Sequence, residues 1–460
     1  MRLFHVLVLT AVTAGALPRP ADAQDFDPSL LAAMMPRSIG PAGMSGRITA
    51  IDGVADDPNV LWVGTATGGV WKSTNGGTTW APVFDDKRVS GIGAVAIDPS
   101  RPDWVWIGTG EGNPRNSAGV GAGIFKTQDN GETWQYLGLP ESERIHRIIV
   151  HPDNSDVVWV GVMGPAWSDG EVRGVYKTED GGSTWRRVLW VNQRTGISDL
   201  IIDPSDPSRL YAGMWEFRRE PWFMTSGGPG SGLYASRDGG ETWTRYSEMD
   251  GMPSGELGRI GLSIAPSNPS VVYALVEAET SALLKSSDAG QSWTTVNTDP
   301  DVANRPFYYT DIFVDPDDEL RIYNLNSRLW ISEDGGGSFE RAEVDVHSDL
   351  HAMWVDPTDA RHLLVGTDGG VWESRDKAKT WTPFDNLPVG QFYHVSVDDA
   401  VPYNVYGGKQ DNGSWRGPSD VWAVGGIRNF HWREIAFGDG FNALLDPTDS
   451  DLGYGMSQGG

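Results

Sequence analysis

The chain has 460 residues, a formal net charge of −26 and no cysteine. This length is enough for a large hydrophobic core, and the absence of cysteine excludes disulfides and a cysteine nucleophile. The negative charge repels phosphate backbones and anionic lipids, so neither a nucleic-acid partner nor peripheral membrane binding is predicted. The 58 glycines and 21 tryptophans are typical of a protein with many turns and a repeated packing aromatic.

The N-terminus has the pattern of an export signal. Arg2 precedes an apolar run over residues 3–17, and Ala21-Asp22-Ala23 before Gln24 is a small-residue cleavage site. We therefore predict a signal peptide over 1–23 and a secreted or periplasmic protein. No later stretch approaches 18 apolar residues, so no membrane insertion is expected after cleavage. Residues 24–45 form an N-terminal segment in which 34–40 are a possible closing strand.

One short pattern, Ser/Thr-x-Asp-x-Gly-x-Thr-Trp, occurs seven times between residues 73 and 381. The final aromatic residues follow one another at intervals of 42 to 58 residues. A period in this range indicates repeated supersecondary units that stack on one another. The copies are STNGGTTW (Ser73–Trp80), TQDNGETW (Thr127–Trp134), TEDGGSTW (Thr178–Trp185), SRDGGETW (Ser236–Trp243), SSDAGQSW (Ser286–Trp293), SEDGGGSF (Ser332–Phe339) and SRDKAKTW (Ser374–Trp381).

The residue types of this pattern favour a hairpin turn rather than a catalytic site. Asp accepts hydrogen bonds from amides of its own turn, and Gly permits the positive φ of a tight turn. Thr and Trp then begin the next strand. Three copies depart from the pattern at Asn75, Phe339 and Ala378, as a structural element tolerates. Seven similar turns cannot all be active sites.

Upstream of each turn, two apolar runs are separated by Asp-Pro or a related pair, as in LIIDPSDPSRLYAG (Leu200–Gly213). Proline lacks an amide donor and favours a turn, so this pair separates two strands. Four short strands in about 50 residues, repeated, predict an all-β fold: a β-propeller of four-stranded antiparallel blades with at least seven blades. Seven blades are expected over 46–390.

The segment 391–460 is expected to contain an eighth blade and an incomplete ninth. The eighth begins at Gln391 and carries a compressed turn motif, QDNGSW (Gln410–Trp415). The ninth begins near Gly438 and reaches only the start of its third strand. We therefore expect this sequence to be a fragment of a longer protein with further C-terminal domains.

The repeated turns are Asp-box (BNR) repeats, and with their Asp-Pro punctuation the chain resembles sortilin-type propellers and two-propeller xyloglucan-cleaving glycoside hydrolases. The segments SIGPAGMSGRITAI (Ser38–Ile51) and GGKQDNGSWRGPSD (Gly407–Asp420) resemble exported bacterial members described as sortilin-like or BNR-repeat glycosyl hydrolases. The resemblance covers about residues 36–460. It implies the fold, and it leaves function open because the repeated residues are structural.

The connections between the second and third strands vary most in length, which favours a ligand role for them. Aromatic rings there can stack on sugars and arginines can donate hydrogen bonds; the alternative is that these side chains pack the loops onto the body. The predicted ligand-binding residues are Arg115, Trp167, Trp215, Arg218, Arg219 and Trp222.

Innermost-strand residues two apart face the same side, so they are expected to line the channel as a polar ring. The candidates are Arg144, His146, Gly196, Ser198, Tyr308, Thr310, Asp349, His351, Gln391, Tyr393, Asp439 and Phe441. Within this set, His347, Asp349 and His351 alternate and form the densest group. Two imidazoles and one carboxylate suit zinc, so they are a weak metal-site candidate. No other metal site and no cofactor is predicted.

A glycosidase needs two carboxyl groups that flank the scissile bond. The resemblance to xyloglucan-cleaving enzymes implies one catalytic aspartate in a segment like Arg-Thr-Asp-Ile-Gly-Gly of the first blade, but here Ala66 occupies that position. Asp439 loosely resembles the second acid, and Asp368 has the right local motif in blade seven. The catalytic candidates are Glu111, Asp169, Glu220 and Asp439.

With no identifiable catalytic pair, the sequence favours an exported, sortilin-like ligand-binding module that takes a glycan or peptide at the axial face. The alternative is a glycoside hydrolase that acts on a polysaccharide through a pair of loop carboxylates.

Overall fold

The structure of the protein is a computed structural model that describes residues 37–40, 45–115 and 118–459. The predicted signal peptide and most of the segment 24–45 lie outside these ranges. Arg37 to Gly40 are described, and they carry no strand. Residues 39–460 form one compact unit.

Seven consecutive antiparallel sheets follow one another along the chain. Blade 1 consists of β1 (Ile48–Val54), β2 (Asp57–Thr65), β3 (Val70–Ser73) and β4 (Ala81–Pro82). Blade 2 consists of β5 (Ile92–Asp98), β6 (Arg101–Thr109), β7 (Ile124–Thr127) and β8 (Gln135–Tyr136). Blade 3 consists of β9 (Ile145–His151), β10 (Asn154–Val162), β11 (Gly174–Thr178) and β12 (Arg186–Leu189). Blade 4 consists of β13 (Thr195–Ile202), β14 (Leu210–Arg219), β15 (Met224–Ser226), β16 (Gly232–Ser236) and β17 (Thr244–Arg245).

The next three blades repeat the plan. Blade 5 consists of β18 (Ile260–Ile264), β19 (Val272–Val276), β20 (Ala282–Ser286) and β21 (Thr294–Asn297). Blade 6 consists of β22 (Ile312–Val314), β23 (Ile322–Leu325), β24 (Leu329–Ser332) and β25 (Glu340–Arg341). Blade 7 consists of β26 (Leu350–Val355), β27 (Leu363–Thr367), β28 (Gly370–Ser374) and β29 (Thr382–Pro383). Short 3-10 turns occur at Glu248–Asp250 and Asn429–His431.

The Asp box works as a clip between blades. In blade 2, Thr127 Oγ1 accepts a hydrogen bond from Gly131 N (2.9 Å), and Asp129 Oδ1 accepts one from Thr133 N (2.8 Å). The following Trp134 reaches back to blade 1, where its Nε1 donates to the carbonyl oxygen of Val83 (2.6 Å). In blades 2 and 3 the box therefore stabilises both its own hairpin and the contact with the preceding blade. In blades 4 and 7 the tryptophan donates instead to a carbonyl oxygen of its own box, at Gly240 and Ala378.

The first strands of blades 1 to 6 pack side by side in chain order, and β26 of blade 7 contacts β23 of blade 6. The ring returns to its start because β26 packs against β1. Ile48 and Ile51 of blade 1 form one buried apolar cluster with Ala352, Trp354 and Leu364 of blade 7. Hydrophobic burial thus joins blade 7 to blade 1 and closes a ring of seven blades. Before Ile48, the described residues 37–40 and 45–47 carry no strand. The predicted all-β propeller of four-stranded Asp-box blades is confirmed.

An eighth sheet follows the ring and is built from β30 (Phe392–Val397), β31 (Asn404–Lys409), β32 (Ser414–Pro418) and β33 (Arg433–Ala436). The last described strands, β34 (Gly440–Asp446) and β35 (Asp449–Ser457), pair with each other, and β34 packs on β30.

One expectation about the eighth sheet was wrong. The motif QDNGSW is not a compressed Asp box between third and fourth strands; it is the turn between β31 and β32, the second and third strands. The residues of this segment resemble an Asp box, but the strand register places Asp411 in the connection between the second and third strands, which is the variable connection of the other blades.

None of the helices in the described ranges is long and apolar enough to cross a membrane.

Candidate functional site

Each blade of the ring presents two kinds of connection at opposite ends of the axis. The variable connections between second and third strands, such as residues 66–69 and 110–123, form what we call the loop face. The Asp-Pro turns between first and second strands form the turn face. Because every innermost strand runs from the loop face to the turn face, residues just before or early in that strand lie near the axis at the loop face.

A group of charged and aromatic side chains meets there, which we call the axial ion cluster. It comprises Arg47, Glu111, Arg115, Tyr308, His351, Asp368 and Asp411.

Arg47 is the centre of this cluster. It directly precedes β1, and its side chain is almost fully buried. Its Nη1 donates to Glu111 Oε1 (2.9 Å) and its Nε to Asp368 Oδ1 (2.7 Å). Its Nη2 donates to Oδ2 of Asp368 and to Oδ2 of Asp411, each at 3.3 Å. Burial opposes the charge, but Glu111 and Asp368 outweigh it and raise the pKa of Arg47 well above its usual value.

Asp368 is the most enclosed carboxylate of the cluster. Tyr308 donates its hydroxyl to Asp368 Oδ2 (3.1 Å) and accepts from Arg115 Nη1 (2.8 Å). His351 Nε2 lies 2.9 Å from Asp368 Oδ1. Burial acts to raise the pKa of Asp368, but Arg47 and then His351 outweigh it and hold that pKa well below the ordinary range. Asp368 is therefore ionised.

Asp411 has the opposite electrostatic character. It comes from the β31–β32 turn, and its side chain keeps about a fifth of its surface exposed. Burial, together with the neighbouring charge of Asp368, raises its pKa to about 7, in spite of the arginines 47 and 115. The two aspartates therefore form a pair in which Asp368 holds the charge and Asp411 can hold a proton near neutral pH.

This pair does not have the geometry of two carboxylates flanking a sugar. Both Oδ2 atoms contact the same nitrogen of Arg47, and Asp368 is buried. A glycosidase needs its two carboxyl groups about 5–10 Å apart, on either side of the bond. Of this pair, Asp411 keeps about a fifth of its side-chain surface exposed, whereas Asp368 is almost completely buried.

The catalytic candidates from the sequence occupy three different environments. Glu111 is fully buried against Arg47, and its Oε2 accepts no hydrogen bond among the described residues. Asp169 and Glu220 both pair with Arg218, at 3.4 and 3.5 Å, and are partly exposed. Asp439 is half-buried, and its Oδ1 accepts the backbone amide of Asp411 (2.9 Å). Of these four candidates, Glu111 belongs to the axial ion cluster and Asp439 contacts it through the backbone amide of Asp411.

The tryptophans expected in the loops divide into two groups. Trp222 is 79% exposed, close to the exposed Phe223 at the tip of the β14–β15 hairpin, and Trp167 is 41% exposed. Trp215 was assigned to a ligand wrongly: it lies within β14, is fully buried, and stacks on Phe217 with ring centroids 4.4 Å apart. Strand β14 continues to Arg219, further than the sequence suggests, and Trp215 is therefore a core residue.

The predicted arginines lie on the loop face with different partners. Arg115 belongs to the axial ion cluster, with its guanidinium 5.0 Å from the Tyr308 ring centroid. Arg218 pairs with the two acids named above, and the backbone amide of Arg219 donates to the carbonyl oxygen of Ala166. Burial lowers the pKa of Arg219.

The metal candidate His347–Asp349–His351 is not supported by the geometry. The alternation argument required a strand, but β26 begins only at Leu350, and Asp349 has a φ of 63°. His347 contacts backbone oxygens of Ser348 and Asp411, whereas His351 faces Asp368. In the part of the chain that the structure describes, no three His, Cys, Asp or Glu residues are grouped to hold a metal ion.

The sequence reasoning found Tyr308 and His351 as axial residues but missed Arg47 and Asp411. A signal for Arg47 was present, since Gly-Arg-Ile occurs at residues 46–48 and again at 258–260. Arg259 is likewise buried near the axis, where its Nη2 donates to Asn113 Oδ1 (3.1 Å).

A family model described as sortilin, neurotensin receptor 3, matches residues 68–204. The chain is 30% identical over 216 residues to an oligoxyloglucan-reducing end-specific xyloglucanase of Emericella nidulans, covering 43% of this chain and 24% of that protein. It is 23% identical over 444 residues to a xyloglucanase of Hypocrea jecorina, covering 86% and 45%. The chain is an Asp-box propeller that resembles xyloglucanases.

Solved structures agree on the fold. The GH74 xyloglucanase from Xanthomonas campestris superimposes with a TM-score of 0.61 at 19% identity, covering 82% of this chain and 60% of that one. A GH74 enzyme of Niastella koreensis gives a TM-score of 0.62 at 18% identity, covering 92% and 65%. The chain spans less than half the length of the two curated xyloglucanases, 24% and 45%.

Proposed function

We propose that the chain acts on a glycan of the xyloglucan class at its loop face as a glycoside hydrolase, with Asp411 as the proton donor. One observation carries the proposal: a partly exposed carboxyl group lies against a buried, ionised carboxylate on a shared arginine. A general acid must hold its proton near the working pH, and a pKa of about 7 for Asp411 meets that requirement. The xyloglucanase relatives support the choice of substrate class.

The residues divide their roles as follows in this proposal. Asp368 and Arg47 position Asp411 and tune its proton affinity, and neither touches the glycan. Asp439, half-buried beside Asp411, is the proposed second carboxyl group. Trp222 and Trp167, with Arg115, Arg218 and Arg219, form the proposed sugar-binding surface, because exposed aromatic rings stack on the apolar faces of sugars. Secretion through the signal at 1–23 remains part of the proposal.

A binding module for a glycan or peptide is the second candidate. Ala66, at the position where the xyloglucanase resemblance implies a catalytic aspartate, is a buried apolar residue and favours this alternative. Hydrolysis products distinguish the two functions.

The test is to incubate the purified chain with xyloglucan, a mixed-linkage glucan and arabinoxylan, and to follow new reducing ends by mass spectrometry. We expect products from xyloglucan and a loss of about 10²–10⁴-fold for Asp411→Asn with binding retained, since this is the usual contribution of a general acid. Asp399→Asn, an exposed aspartate of the same sheet, is the matched control and should match the wild type.

Binding of xyloglucan without products would replace the hydrolase with the binding module. Activity of Asp411→Asn equal to that of Asp399→Asn would remove Asp411 from the reaction. Neither binding nor cleavage of any glycan would leave a peptide ligand as the remaining candidate.

A further inference from the structure

The axial channel contains a cavity on the side of the turn face. It has a volume of about 430 Å³ and is lined by the innermost strands of all seven blades. This is within the range of small-molecule sites, about 300–1,000 Å³. We call it the axial cup. None of the side chains predicted from the sequence to bind glycan lines it.

The lining changes from polar to apolar along the direction of the strands. In blade 3, His146 and Arg147 are followed by Ile148 and Ile149, and in blade 6, Asp311 is followed by Ile312 and Phe313. Since these strands run from the loop face to the turn face, the polar residues form the inner end of the cup. The apolar residues lie nearer its mouth, where the exposed Pro204 and Pro266 form part of the rim.

The inner end is held by Arg147, which bridges three blades. Its Nε donates to Asp199 Oδ1 of blade 4 (2.7 Å), and its Nη2 donates to Asp311 Oδ1 of blade 6. Its Nη1 donates to the carbonyl oxygen of His146 (3.1 Å). All three guanidinium nitrogens are therefore engaged, and Arg147 has little capacity left for an anionic ligand.

Asp311 provides one unpaired oxygen of the cup; among the other lining residues, Nδ1 of His146 and Nδ1 of His351 also have no hydrogen-bond partner among the described protein groups. The Asp311 side chain is about 5% exposed, and its Oδ2 accepts no hydrogen bond from the described protein groups. Leaving a buried acceptor unpaired costs free energy, so a donor that reaches it gains more than the same donor gains in water. The atom accepts a hydrogen bond and repels another carboxylate.

We propose that the axial cup binds a small apolar molecule that carries one hydrogen-bond donor at its end, an alcohol or a primary amine. The apolar body packs against Val95, Ile149, Ile201 and Phe313, and the head group donates to Asp311 Oδ2. His351 lines the cup and also belongs to the axial ion cluster, but Asp311 and the four apolar side chains that carry the proposal are not members of that cluster, so the proposal does not rest on the function assigned to the loop face.

The probes are 4-phenylbutan-1-ol, 4-phenylbutylamine and 4-phenylbutanoate, which share one apolar body and differ in the head group. Binding to the full chain is measured by saturation-transfer NMR and titration calorimetry. We expect the alcohol and the amine to bind and the carboxylate to bind at least tenfold more weakly. A xyloglucan oligosaccharide at saturating concentration should displace neither probe.

Three variants test the position of the ligand. Ile201→Trp fills the cup, and Pro204→Trp narrows its mouth at an exposed position that does not disturb the core; each should weaken binding at least tenfold. Asp311→Asn supplies an amide donor and should bring the carboxylate within a few-fold of the alcohol. Leu320→Trp, on an exposed turn outside the cup, is the matched control and should bind as the wild type does.

The proposal is overturned if no probe binds at millimolar concentration, which would make the cup a water-filled channel. Equal binding of the carboxylate, or unchanged binding in Pro204→Trp, would also overturn it. Hydrolysis at the loop face should be the same in Pro204→Trp as in the wild type, so failure of the cup proposal and failure of the proposed function are distinguished.

Discussion

Replacing Arg47 by methionine removes the cation on which three carboxyl groups depend. Glu111 and Asp368 are buried almost completely and lie 2.9 and 2.7 Å from Arg47 nitrogens, and Asp411 lies at 3.3 Å. Removing one partner of a buried ion pair typically costs about 3–5 kcal/mol, because the remaining charge stays buried without compensation. Methionine keeps the approximate length of the side chain, so the expected loss arises from charge rather than from a large cavity.

The loss of unfolding free energy in Arg47→Met should lie near the upper end of that range. It should not be three times as large, although three carboxyl groups lose their partner. Once the cation is absent, the carboxyl groups can take up protons, which limits the penalty. In the wild type the depressed pKa of Asp368 contributes stability above its ordinary pKa, and this is lost as the pH falls through the folded value. That contribution is complete at both pH 5 and pH 8. In the variant the buried carboxyl groups have lost the cation, so they can take up protons at pH 5 but stay buried as charges at pH 8, and the deficit should be larger at pH 8.

The assay is urea unfolding followed by the fluorescence of the 21 tryptophans, at pH 5 and pH 8. The control is Arg361→Met, which breaks a pair with Asp359 at 2.8 Å on the exposed surface and should leave the midpoint unchanged. If Arg47→Met unfolds at the same urea concentration as Arg361→Met at pH 8, the axial ion cluster does not hold the fold and the reasoning is refuted.

Three further results are expected. Asp411→Asn should stabilise the fold above pH 7 by up to about 4 kcal/mol. The raised pKa of about 7 means that ionisation of Asp411 disfavours the folded state, and asparagine does not ionise. Urea unfolding curves taken across the pH range should show that this gain vanishes below pH 4, where the carboxyl group is protonated in both states. Gly93→Ala should prevent recovery of soluble protein, because its Cβ would lie 2.2 Å from the carbonyl oxygen of Gly110. Gly239→Ala meets nothing within 4 Å but has a φ of 71°, so it should cost only about 1–2 kcal/mol for the left-handed backbone and remain soluble. Trp354→Ala should cost about 3–5 kcal/mol in urea unfolding, because it removes a buried ring from the contact between blades 7 and 1; an unchanged midpoint would show that the ring is not closed there.

The Asp box was readable from sequence because it is a local structure. Thr127, Asp129 and Gly131 satisfy one another within five residues, so the same letters recur wherever the same turn is needed. Even the exceptional Ala378 keeps this geometry, with φ of 66° and its amide donated to Ser374 Oγ (2.9 Å). The four-stranded blade and a minimum of seven blades followed from the spacing of these turns.

The errors arose where a local pattern was extended beyond its element. Trp215 was read as a loop residue because the connection is rich in glycine, but β14 continues to Arg219 and buries the ring. The alternation assumed for His347 and Asp349 fails because their backbone is not a strand. Such cases depend on where pairing with a neighbouring strand ends, which the single segment does not encode.

The sequence by itself determined the repeat and the four-stranded blade, since these depend on residues close together in the chain. It also determined the acidic character, since net charge follows from counting the charged residues. Only the tertiary structure decided that seven blades close, because closure depends on packing between Ile48 and Ala352, more than 300 residues apart. It also decided the axial ion cluster, where Arg47, Glu111, Asp368 and Asp411 meet from four separate sheets or their connections. The charges of such a group stabilise one another only after the ring has brought them together and excluded water, and no local pattern records that event.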